Sequence, residues 1–510
     1  MFLIALGVVL ILLYLYGTRS YKYWEKKGVK TFEKPLPFLG NGLKTFLMKT
    51  SLAEFFTEVY RKYPDERIVG LYIANTKIMV VRDPELIKHV LVTDFHYFHP
   101  RGVNPQKHNF EPLMKNLFTV DGDTWKLLRQ RLTPAFTSGK LKAMFPLIVE
   151  RAEKLQKMAE DSAGKEVDVR ELMARYTTDF IGACGFGLDT DSLSEEESTF
   201  RKLGKRIFTV KLRDGIVLFL KQIAPEIFES LHVFAPEVEE QTISLVTQIM
   251  KQRNYKPSGR NDFIDLLLEL KQKGKIVGDS VEKMKPDGTP ETVELVLDDL
   301  LMAAQVFIFF AAGFETSSSA SSFMLHQLAF HPEEQEKCQR EIDEVLSRHG
   351  GKLCYDAVRE MKYLGMCFKE SMRILPSLGF LMRVCAKPYR IPGTDVTIDE
   401  RVEVFIPINA LQMDERFFPE PEQFRPERFH PDRADEIKKH VYLPFGEGPR
   451  ACIGERLGLM QSMAGLAAVL ARFSVAPSAR TRRQVQIDPT STIVQIVKGG
   501  IPLSLTARTS

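Results

Sequence analysis

The sequence contains few cysteines, and their arrangement indicates neither disulfide bonding nor zinc binding. Only six occur in 510 residues. A disulfide framework or a zinc knuckle needs paired or regularly spaced cysteines, and this chain has no CxxC pair. The scatter is typical of a reducing compartment, where most thiols are buried and unreactive. The six are Cys184, Cys338, Cys354, Cys367, Cys385 and Cys452.

The chain also lacks internal repeats, low-complexity segments and a strong excess of charge of either sign. Its net charge of +4 is too small to indicate a nucleic-acid partner by itself, and we expect none. Hydrophobic residues make up 44% and charged residues 27%, which is an ordinary globular composition. We therefore expect one large domain or two fused ones.

One long run without any charge stands at the N-terminus. Residues 2–16 (FLIALGVVLILLYLY) are uninterrupted apolar, and four cations follow between Arg19 and Lys27. A helix over residues 1–18 would be roughly 27 Å long, close to the thickness of the endoplasmic-reticulum membrane. A cleaved secretory signal is the alternative, but no basic residue precedes the run. The run therefore predicts a membrane anchor.

This anchor predicts the organisation of the whole chain. We expect residues 1–18 to form the N-terminal transmembrane anchor, residues 19–41 a basic and proline-rich linker, and residues 42–510 the main folded domain. The prolines make the linker stiff and extended. Because cations follow the anchor, the positive-inside rule places the main domain on the cytoplasmic side of the endoplasmic-reticulum membrane.

Beyond the linker the pattern is mostly helical, with a smaller β portion. Alternating apolar residues at 68–72 and 77–81 predict a hairpin, and helical patterns dominate from about 84 to 347. Near the C-terminus we expect a helix from about residue 452 to 473. A closing hairpin is predicted to turn at residues 498–500.

The longest predicted helix runs from about residue 292 to 330. Its centre, residues 300–314, is nearly as apolar as a membrane span. Charged residues interrupt the pattern around it, and such groups are costly at bilayer depth. The sequence therefore predicts a helix buried through the centre of the domain.

A glycine-rich loop surrounds one of the cysteines. Residues 444–454 read PFGEGPRACIG, with Cys452 at the predicted start of a helix. Glycines let the backbone approach a flat cofactor, and a helix N-terminus stabilises a thiolate. A buried structural thiol is the alternative for any single cysteine.

The loop resembles the haem-binding signature of the cytochrome P-450 superfamily, with matches at Phe445, Gly448, Arg450, Cys452 and Gly454. The resemblance implies haem b as the cofactor and Cys452 as the sulfur ligand to its iron. It also implies a mainly α fold with a small segregated β portion, carried on a single N-terminal membrane anchor. Within the superfamily the chain resembles insect microsomal members of family six.

Three charged residues match a structural network of this family. Glu370 and Arg373 share a helix face and resemble its Glu-x-x-Arg pair, and Arg428 stands where the partner arginine is expected. The resemblance implies that they hold the cysteine loop. A surface salt bridge is the alternative for the first two.

Other residues match the family's contacts to the haem propionates. Trp125 and Arg129 lie four residues apart on one helix face, and both carry suitable N–H donors. The resemblance adds Arg383 and Arg450 to this group. A ring packed on an arginine stem is the alternative interpretation for Trp125 and Arg129.

Residues 312–316 (AGFET) resemble the family's oxygen-activation motif. Ala312 would leave room above the iron, and Thr316 with Glu315 would deliver protons. The alternative is a hydroxyl that merely bonds to the preceding helix carbonyl. By the same resemblance, Phe118, Phe309 and Phe380 face the substrate, although Phe118 or Phe380 could instead be ordinary core.

These matches imply a monooxygenase that acts on a lipophilic small molecule and dioxygen. Electrons would come from NADPH through a membrane-bound cytochrome reductase, with a small b-type cytochrome as a further partner and membrane lipid as the surroundings. The basic residues Lys126, Arg131, Lys140 and Lys142 would form the docking face, and a solvated charged surface is the alternative interpretation. A peroxide-rearranging isomerase or dehydratase and a non-catalytic haem carrier are the alternatives.

The chain departs from its relatives at Gln412 and Glu415, where they commonly have His and Pro. We expect this departure to affect only the local packing of its loop.

Overall fold

The computed structural model describes residues 1–103, 111–187, 199–208, 211–260 and 262–508. Over these residues the chain is mainly helical with a small β portion, which confirms this part of the predicted fold class. The α-helices are α1 Phe2–Thr18, α2 Tyr23–Lys26, α3 Leu43–Phe46, α4 Leu52–Lys62, α5 Pro84–Lys88, α6 Gly122–Leu132, α7 Ser138–Asp161, α8 Val169–Ile181, α9 Thr199–Phe208, α10 Leu212–Ile223, α11 Pro225–Phe228, α12 Pro236–Gln252, α13 Phe263–Gln272, α14 Asp299–Phe330, α15 Pro332–Arg348, α16 Tyr355–Glu360, α17 Lys362–Ile374, α18 Ile408–Gln412 and α19 Glu455–Arg472.

The β portion is small and divided among separate sheets. Its strands are β1 Ile68–Ile73, β2 Thr76–Val81, β3 Glu166–Asp168, β4 Ile276–Met284, β5 Pro290–Leu295, β6 Leu381–Val384, β7 Tyr389–Arg390, β8 Thr397–Ile398, β9 Glu403–Ile406, β10 Phe473–Pro477 and β11 Pro502–Ala507. A four-stranded sheet has the order β1-β2-β9-β6, and a three-stranded sheet has the order β10-β11-β3. The pairs β4-β5 and β7-β8 form two-stranded sheets. The predicted hairpin corresponds to β1 and β2, which pair antiparallel.

Helix α14 runs through the centre of the helical core. Asp298 caps it by accepting a hydrogen bond from the Leu301 N–H at 2.7 Å. Gly313 lets α8 approach closely, because a Cβ there would lie 2.3 Å from Ile181 Cδ1. The helix is long and apolar enough to span a membrane, but most of its apolar segment is buried inside the protein. This placement supports the prediction of a core helix.

The predicted start of α14 near residue 292 was wrong. The helix begins at Asp299, and the residues before it form β5, which pairs with β4. Exposure alternates along β5, as expected for a strand with one face covered. A short alternating segment directly ahead of a helix was therefore assigned to the helix.

The predicted start of the C-terminal helix was also wrong. Helix α19 begins at Glu455, and Gly454 is its capping residue. Cys452 lies in the preceding loop, where its N–H donates to the Phe445 carbonyl at 2.8 Å.

The predicted closing hairpin has different partners. The turn at residues 498–500 follows an isolated bridge between Ile487 and Val497. Strand β11 beyond it pairs with β10 on one side and β3 on the other. The final strand therefore closes a sheet made from three distant parts of the chain.

The stretch predicted as a linker packs against β1. Trp24 is fully buried, and its indole N–H donates to the Leu71 carbonyl at 3.1 Å. A Cβ on Gly70 would lie 2.4 Å from the Trp24 ring, and Gly70 also forms a bridge with Thr31. These contacts tie residues 19–41 to the folded body.

Candidate active site

The loop that carries Cys452 folds back on itself ahead of α19. Gly448 has φ +74°, and a Cβ there would lie 1.9 Å from the Leu91 carbonyl oxygen. No larger residue fits this position without moving the backbone. The Cys452 side chain is accessible to solvent, but protein atoms lie on many sides of it. Its thiol therefore lies inside a cleft.

Several groups act on the Cys452 thiol. Burial raises its pKa, and the nearby Glu455 carboxylate acts in the same direction. The Gly454 N–H and the guanidinium groups of Arg129 and Arg101 lower it. These donors and cations favour the thiolate, which is the form that binds a metal.

Helix α6 brings Trp125 and Arg129 to the cysteine loop. Arg129 Nη1 donates to the Ala451 carbonyl, directly before Cys452, at 2.7 Å. The Arg450 guanidinium lies 4.3 Å from the centroid of the Trp125 ring, which is a cation–π geometry. The helix and the loop therefore make direct contact through the predicted residues.

Arg101 and Arg383 complete a cluster of four arginines with Arg129 and Arg450. Burial, followed by the charges of neighbouring groups, lowers the pKa of Arg101 to about 10, of Arg383 to about 9 and of Arg450 to about 8. Asp121 opposes this effect and accepts from Arg450 at 2.6 Å. Burial is the largest cause of these lowered pKa values. Because a guanidinium keeps its proton at physiological pH, the four arginines also carry more positive charge than the one Asp121 carboxylate can balance.

Two buried nitrogen atoms of this cluster, Arg383 Nε and Arg450 Nη1, have no hydrogen-bond partner among the described residues. Unpaired buried donors are costly, and a ligand with two carboxylates would satisfy both the donors and the excess charge. Haem b carries two propionates, so these residues fit that group. The sequence did not predict Arg101, because it follows Pro100 in a stretch without helical or alternating pattern.

Helix α14 carries the AGFET motif on a partly open face. Ala312 is exposed although most of the helix is buried. The Thr316 hydroxyl donates to the Ala312 carbonyl at 2.7 Å, which is the local bond of the alternative interpretation. A Cβ on Gly458 of α19 would lie 3.7 Å from Ser317 Oγ. The helix that follows the cysteine loop therefore packs directly beside the motif.

Glu315 is engaged by a different neighbour. Its buried carboxylate forms an ion pair with Arg170 of α8, and that guanidinium also donates to Ser318 Oγ at 2.8 Å. Consecutive residues on a helix point about 100° apart, so Glu315 and Thr316 face different surroundings. The carboxylate is therefore bound to Arg170 and not to the Thr316 hydroxyl.

Two of the predicted pocket rings, Phe118 and Phe309, have different neighbours. The Arg101 guanidinium lies 4.2 Å from the centroid of the Phe118 ring, which places this ring beside the arginine cluster. Phe309 stacks on Phe263, and the centroid of Phe136 is 5.1 Å away. Both rings are only partly buried.

Phe380 lies in an aromatic cluster beside the four-stranded sheet. It is 4% exposed, and its centroid is 5.5 Å from that of Phe56 and 5.4 Å from that of Phe405. These surroundings favour the core alternative for Phe380 over a position in the pocket wall.

Glu370 and Arg373 form a buried network at the end of α17. Both side chains are fully buried, and Arg373 donates to the two carboxylate oxygens at 2.8 and 2.9 Å. Arg428 Nε and the Arg425 N–H donate to the same carboxylate at 3.3 and 2.9 Å. The predicted trio is therefore in contact, and the surface-pair alternative does not fit.

Gln412 joins this network to the cysteine loop. Its amide donates to the Met372 and Arg373 carbonyls at 3.0 and 3.1 Å, and its oxygen accepts from the Leu443 N–H at 2.9 Å. The side chain is fully buried, and Leu443 stands two residues before Phe445. The prediction that this departure affects only local packing was therefore wrong, since Gln412 links two parts of the site.

Comparison with known proteins agrees with this geometry. Residues 31–502 match the family Cytochrome P450. The chain is similar to Cytochrome P450 6B2 of Helicoverpa armigera, at 37% identity over 505 residues that cover 99% of this chain and 97% of that protein. It is also similar to Cytochrome P450 6k1 of Blattella germanica, at 35% identity over 515 residues covering 100% and 97%. Probable cytochrome P450 6a13 of Drosophila melanogaster is 37% identical over 504 residues, covering 98% and 97%. The chain therefore belongs to the cytochrome P450 family, and its relatives are insect family-six proteins.

Proposed function

We propose that this haem monooxygenase inserts one oxygen atom from dioxygen into a lipophilic small molecule, such as a xenobiotic, a plant toxin, an insecticide or an endogenous lipid. NADPH would supply the electrons through a membrane-bound reductase, with a small b-type cytochrome as a further donor. The observation that carries the proposal is the Cys452 thiol in a cleft, beside arginines whose unpaired donors suit two propionates.

Several residues of the chain would have separate roles around the cofactor. Haem would supply an iron centre for oxygen activation, and a thiolate ligand favours O–O cleavage. Cys452 would provide the sulfur, and the four arginines would hold the propionates. Thr316 would hold a proton at its hydroxyl, and Glu315 could exchange one with it only after its ion pair with Arg170 opens.

A substrate screen tests the proposal. The protein, a cytochrome reductase and NADPH are combined in lipid and offered a panel of lipophilic compounds under ¹⁸O₂. We expect NADPH-dependent products that contain one labelled oxygen, detected by mass spectrometry. Products that form equally without reductase and NADPH would instead indicate peroxide rearrangement.

Thr316→Ala tests the proton role. We expect haem to remain bound while less product forms per NADPH consumed and more hydrogen peroxide is released, because the positioned hydroxyl is lost. Ser322→Ala is the matched control, since its hydroxyl makes a similar bond to Ser319 within α14, at 3.0 Å. Equal product per NADPH in Thr316→Ala and the parent would contradict the role.

Aromatic side chains and Ala312 are proposed to shape the substrate pocket. We propose Phe118 and Phe309 as walls, because aromatic walls select flat or extended apolar molecules. Phe380, predicted from the sequence as a third wall, is less well placed for this role because it packs among other core rings.

Phe380→Leu separates a pocket wall from a core residue. We expect a lower melting temperature, from a loss on the order of 1–2 kcal/mol, and an unchanged set of products. Phe118→Leu, made beside it, is expected to change the products with little effect on melting. A changed product set in Phe380→Leu at unchanged melting temperature would show that Phe380 is part of the pocket wall.

The basic face proposed for the reductase is partly engaged within the chain. Lys126 and Arg131 donate to backbone carbonyls of β4, each at 3.4 Å. Lys142 pairs with Asp356 at 3.1 Å, and Lys140 is exposed. These contacts leave the positive charge in place, so we propose that an acidic surface of the reductase docks here.

Helix α1 supports an anchor in the endoplasmic-reticulum membrane, with the catalytic domain on the cytoplasmic side. Its side chains are apolar and almost all exposed. At its end, the Tyr16 carbonyl accepts from Asn75 at 3.3 Å, and Arg19 pairs with Glu226 at 3.7 Å. These contacts would hold the end of the anchor against the turn between β1 and β2 and against α11.

Apolar side chains near the end of α1 extend the surface proposed to touch lipid. Ile216 of α10 is 49% exposed, Ile227 of α11 is 72% exposed and Leu47 is 55% exposed. Phe219 and Phe46 pack against each other, which joins α10 to α3. Such a patch suits the interface of a bilayer.

Deletion of residues 1–18 tests both membrane contacts. The deletion stops there because Trp24 is buried in the folded body. We expect the truncated protein to lose integral insertion but still sediment weakly with lipid vesicles, through the Ile216 and Ile227 patch. Adding Ile216→Asp and Ile227→Asp should abolish the residual binding. A truncated protein that never sediments with vesicles would refute the second contact.

A further inference from the structure

We propose that the β4–β5 hairpin is a brace that fixes α6 against the cysteine loop, and that Asp123 is the positioning residue at their contact. The proposal rests on the haem-binding function above, because α6 carries Trp125 and Arg129. It assigns a role to a part of the chain that the sequence pattern had placed in the helical region.

The hairpin lies along one stripe of α6. Gly278 of β4 packs against Leu127, because a Cβ on Gly278 would lie 2.8 Å from Leu127 Cδ2. Lys126 and Arg131 donate to β4 carbonyls at 3.4 Å each. Residues 123, 126, 127, 130 and 131 share one helix face at the usual spacing. A two-stranded hairpin is marginally stable alone, so this contact also supports the hairpin.

Asp123 makes the strongest bonds of this contact. Its carboxylate accepts from Ser280 Oγ at 2.8 Å and from the Val281 N–H at 2.6 Å. Ser280 is 1% exposed, and its hydroxyl oxygen accepts from the Glu282 and Lys283 N–H groups at 3.0 and 2.8 Å. Hydrogen bonds to an ionised carboxylate are short and strong, so Asp123 is held firmly to the irregular part of β4.

The other side of α6 faces the site. Trp125 lies under the Arg450 guanidinium, and Arg129 holds the Ala451 carbonyl at 2.7 Å. A helix pinned at Asp123 cannot slide or rotate relative to the loop without breaking these bonds. The hairpin therefore sets the position from which Trp125 and Arg129 would meet the propionates.

The test measures how fast the loaded protein releases haem to an excess of an apoglobin scavenger. We expect Asp123→Ala to release haem about three to ten times faster than the parent. This is less than the roughly 10–100-fold cost of losing a direct outer-shell partner, because Asp123 acts through α6. Asp123→Asn keeps an acceptor oxygen, so its rate of haem release should lie between those of the parent and Asp123→Ala. Asp279 is an exposed residue of β4, so Asp279→Ala should release haem at the same rate as the parent.

A second variant separates positioning from general stability. Val475→Ala truncates a buried side chain in β10, outside this contact, and should lower the melting temperature without speeding haem release. If Asp123→Ala released haem no faster than the parent, or no faster than Val475→Ala at equal melting temperature, the brace would be refuted. The carbon-monoxide spectrum of the parent is recorded in the same assay, and a parent without haem would overturn the proposed function instead.

Discussion

Replacing Cys452 with alanine is expected to abolish both the red-shifted carbon-monoxide band of the reduced protein and all oxygen insertion. A methyl group cannot bind iron, and the thiolate ligand produces the shifted band of this family. The arginine cluster lies on α6 and neighbouring segments, so some haem can remain bound without the sulfur. The carbon-monoxide difference spectrum therefore distinguishes loss of the ligand from loss of the cofactor.

Cys184→Ala is the matched control for this experiment. Unlike Cys452, Cys184 is buried, and burial raises the pKa of its thiol. It lies at the end of α8 among apolar side chains, so its removal should leave the spectrum unchanged. A shifted band that survives in Cys452→Ala, or disappears in Cys184→Ala, would show that the ligand assignment is wrong.

The sequence predicted those contacts that depend on short spacing. Glu370 and Arg373 stand three residues apart in one helix, so their pairing follows from helix geometry. Trp125 and Arg129 stand four apart and reach the same loop for the same reason. The glycines around Cys452 could also be interpreted locally, because a positive φ at Gly448 favours glycine whatever lies nearby.

The contacts that the sequence did not predict join segments far apart in the chain. Arg101 meets the Arg450 carbonyl across 349 positions, and Arg170 meets Glu315 across 145. Gln412 accepts from the Leu443 N–H across 31 positions. No local periodicity encodes such pairs, because they depend on how whole helices pack.

The fold was predicted best where a pattern was long. Helix α14 was identified because its apolar character extends over many turns. The β4–β5 hairpin was missed because its strands carry many charged residues and bury few apolar side chains. Helix and strand patterns cannot be separated reliably in segments of this length.

Glu370→Gln is expected to cause the largest loss of folded, haem-containing protein outside the ligand itself. The change keeps the shape of the side chain but removes the charge that faces Arg373 and Arg428. Arg373 is fully buried, so water cannot replace the lost anion. Breaking a buried ion pair by removing one partner typically costs about 3–5 kcal/mol. We expect a markedly lower melting temperature and little haem per polypeptide, measured by absorbance on purified protein.

The loss of stability and of bound haem in each variant should increase with the number of bonds that the replaced residue makes to the network. Arg428 makes one longer contact to the carboxylate, at 3.3 Å, and is 9% exposed, so Arg428→Ala should cost less than Glu370→Gln. Arg373→Lys should cost nearly as much as Glu370→Gln, because an ammonium cannot make the bidentate contact or reach the Gln412 and Pro421 carbonyls together. Glu436→Gln is the charge-matched control, since its pair with Arg433 is exposed and worth about 0–1 kcal/mol.

The protein that does fold in Glu370→Gln should turn over normally per haem, because the network holds the loop and does not touch the substrate. Normal haem content in Glu370→Gln, or a loss equal to that of Glu436→Gln, would show that the cysteine loop holds its position without the network.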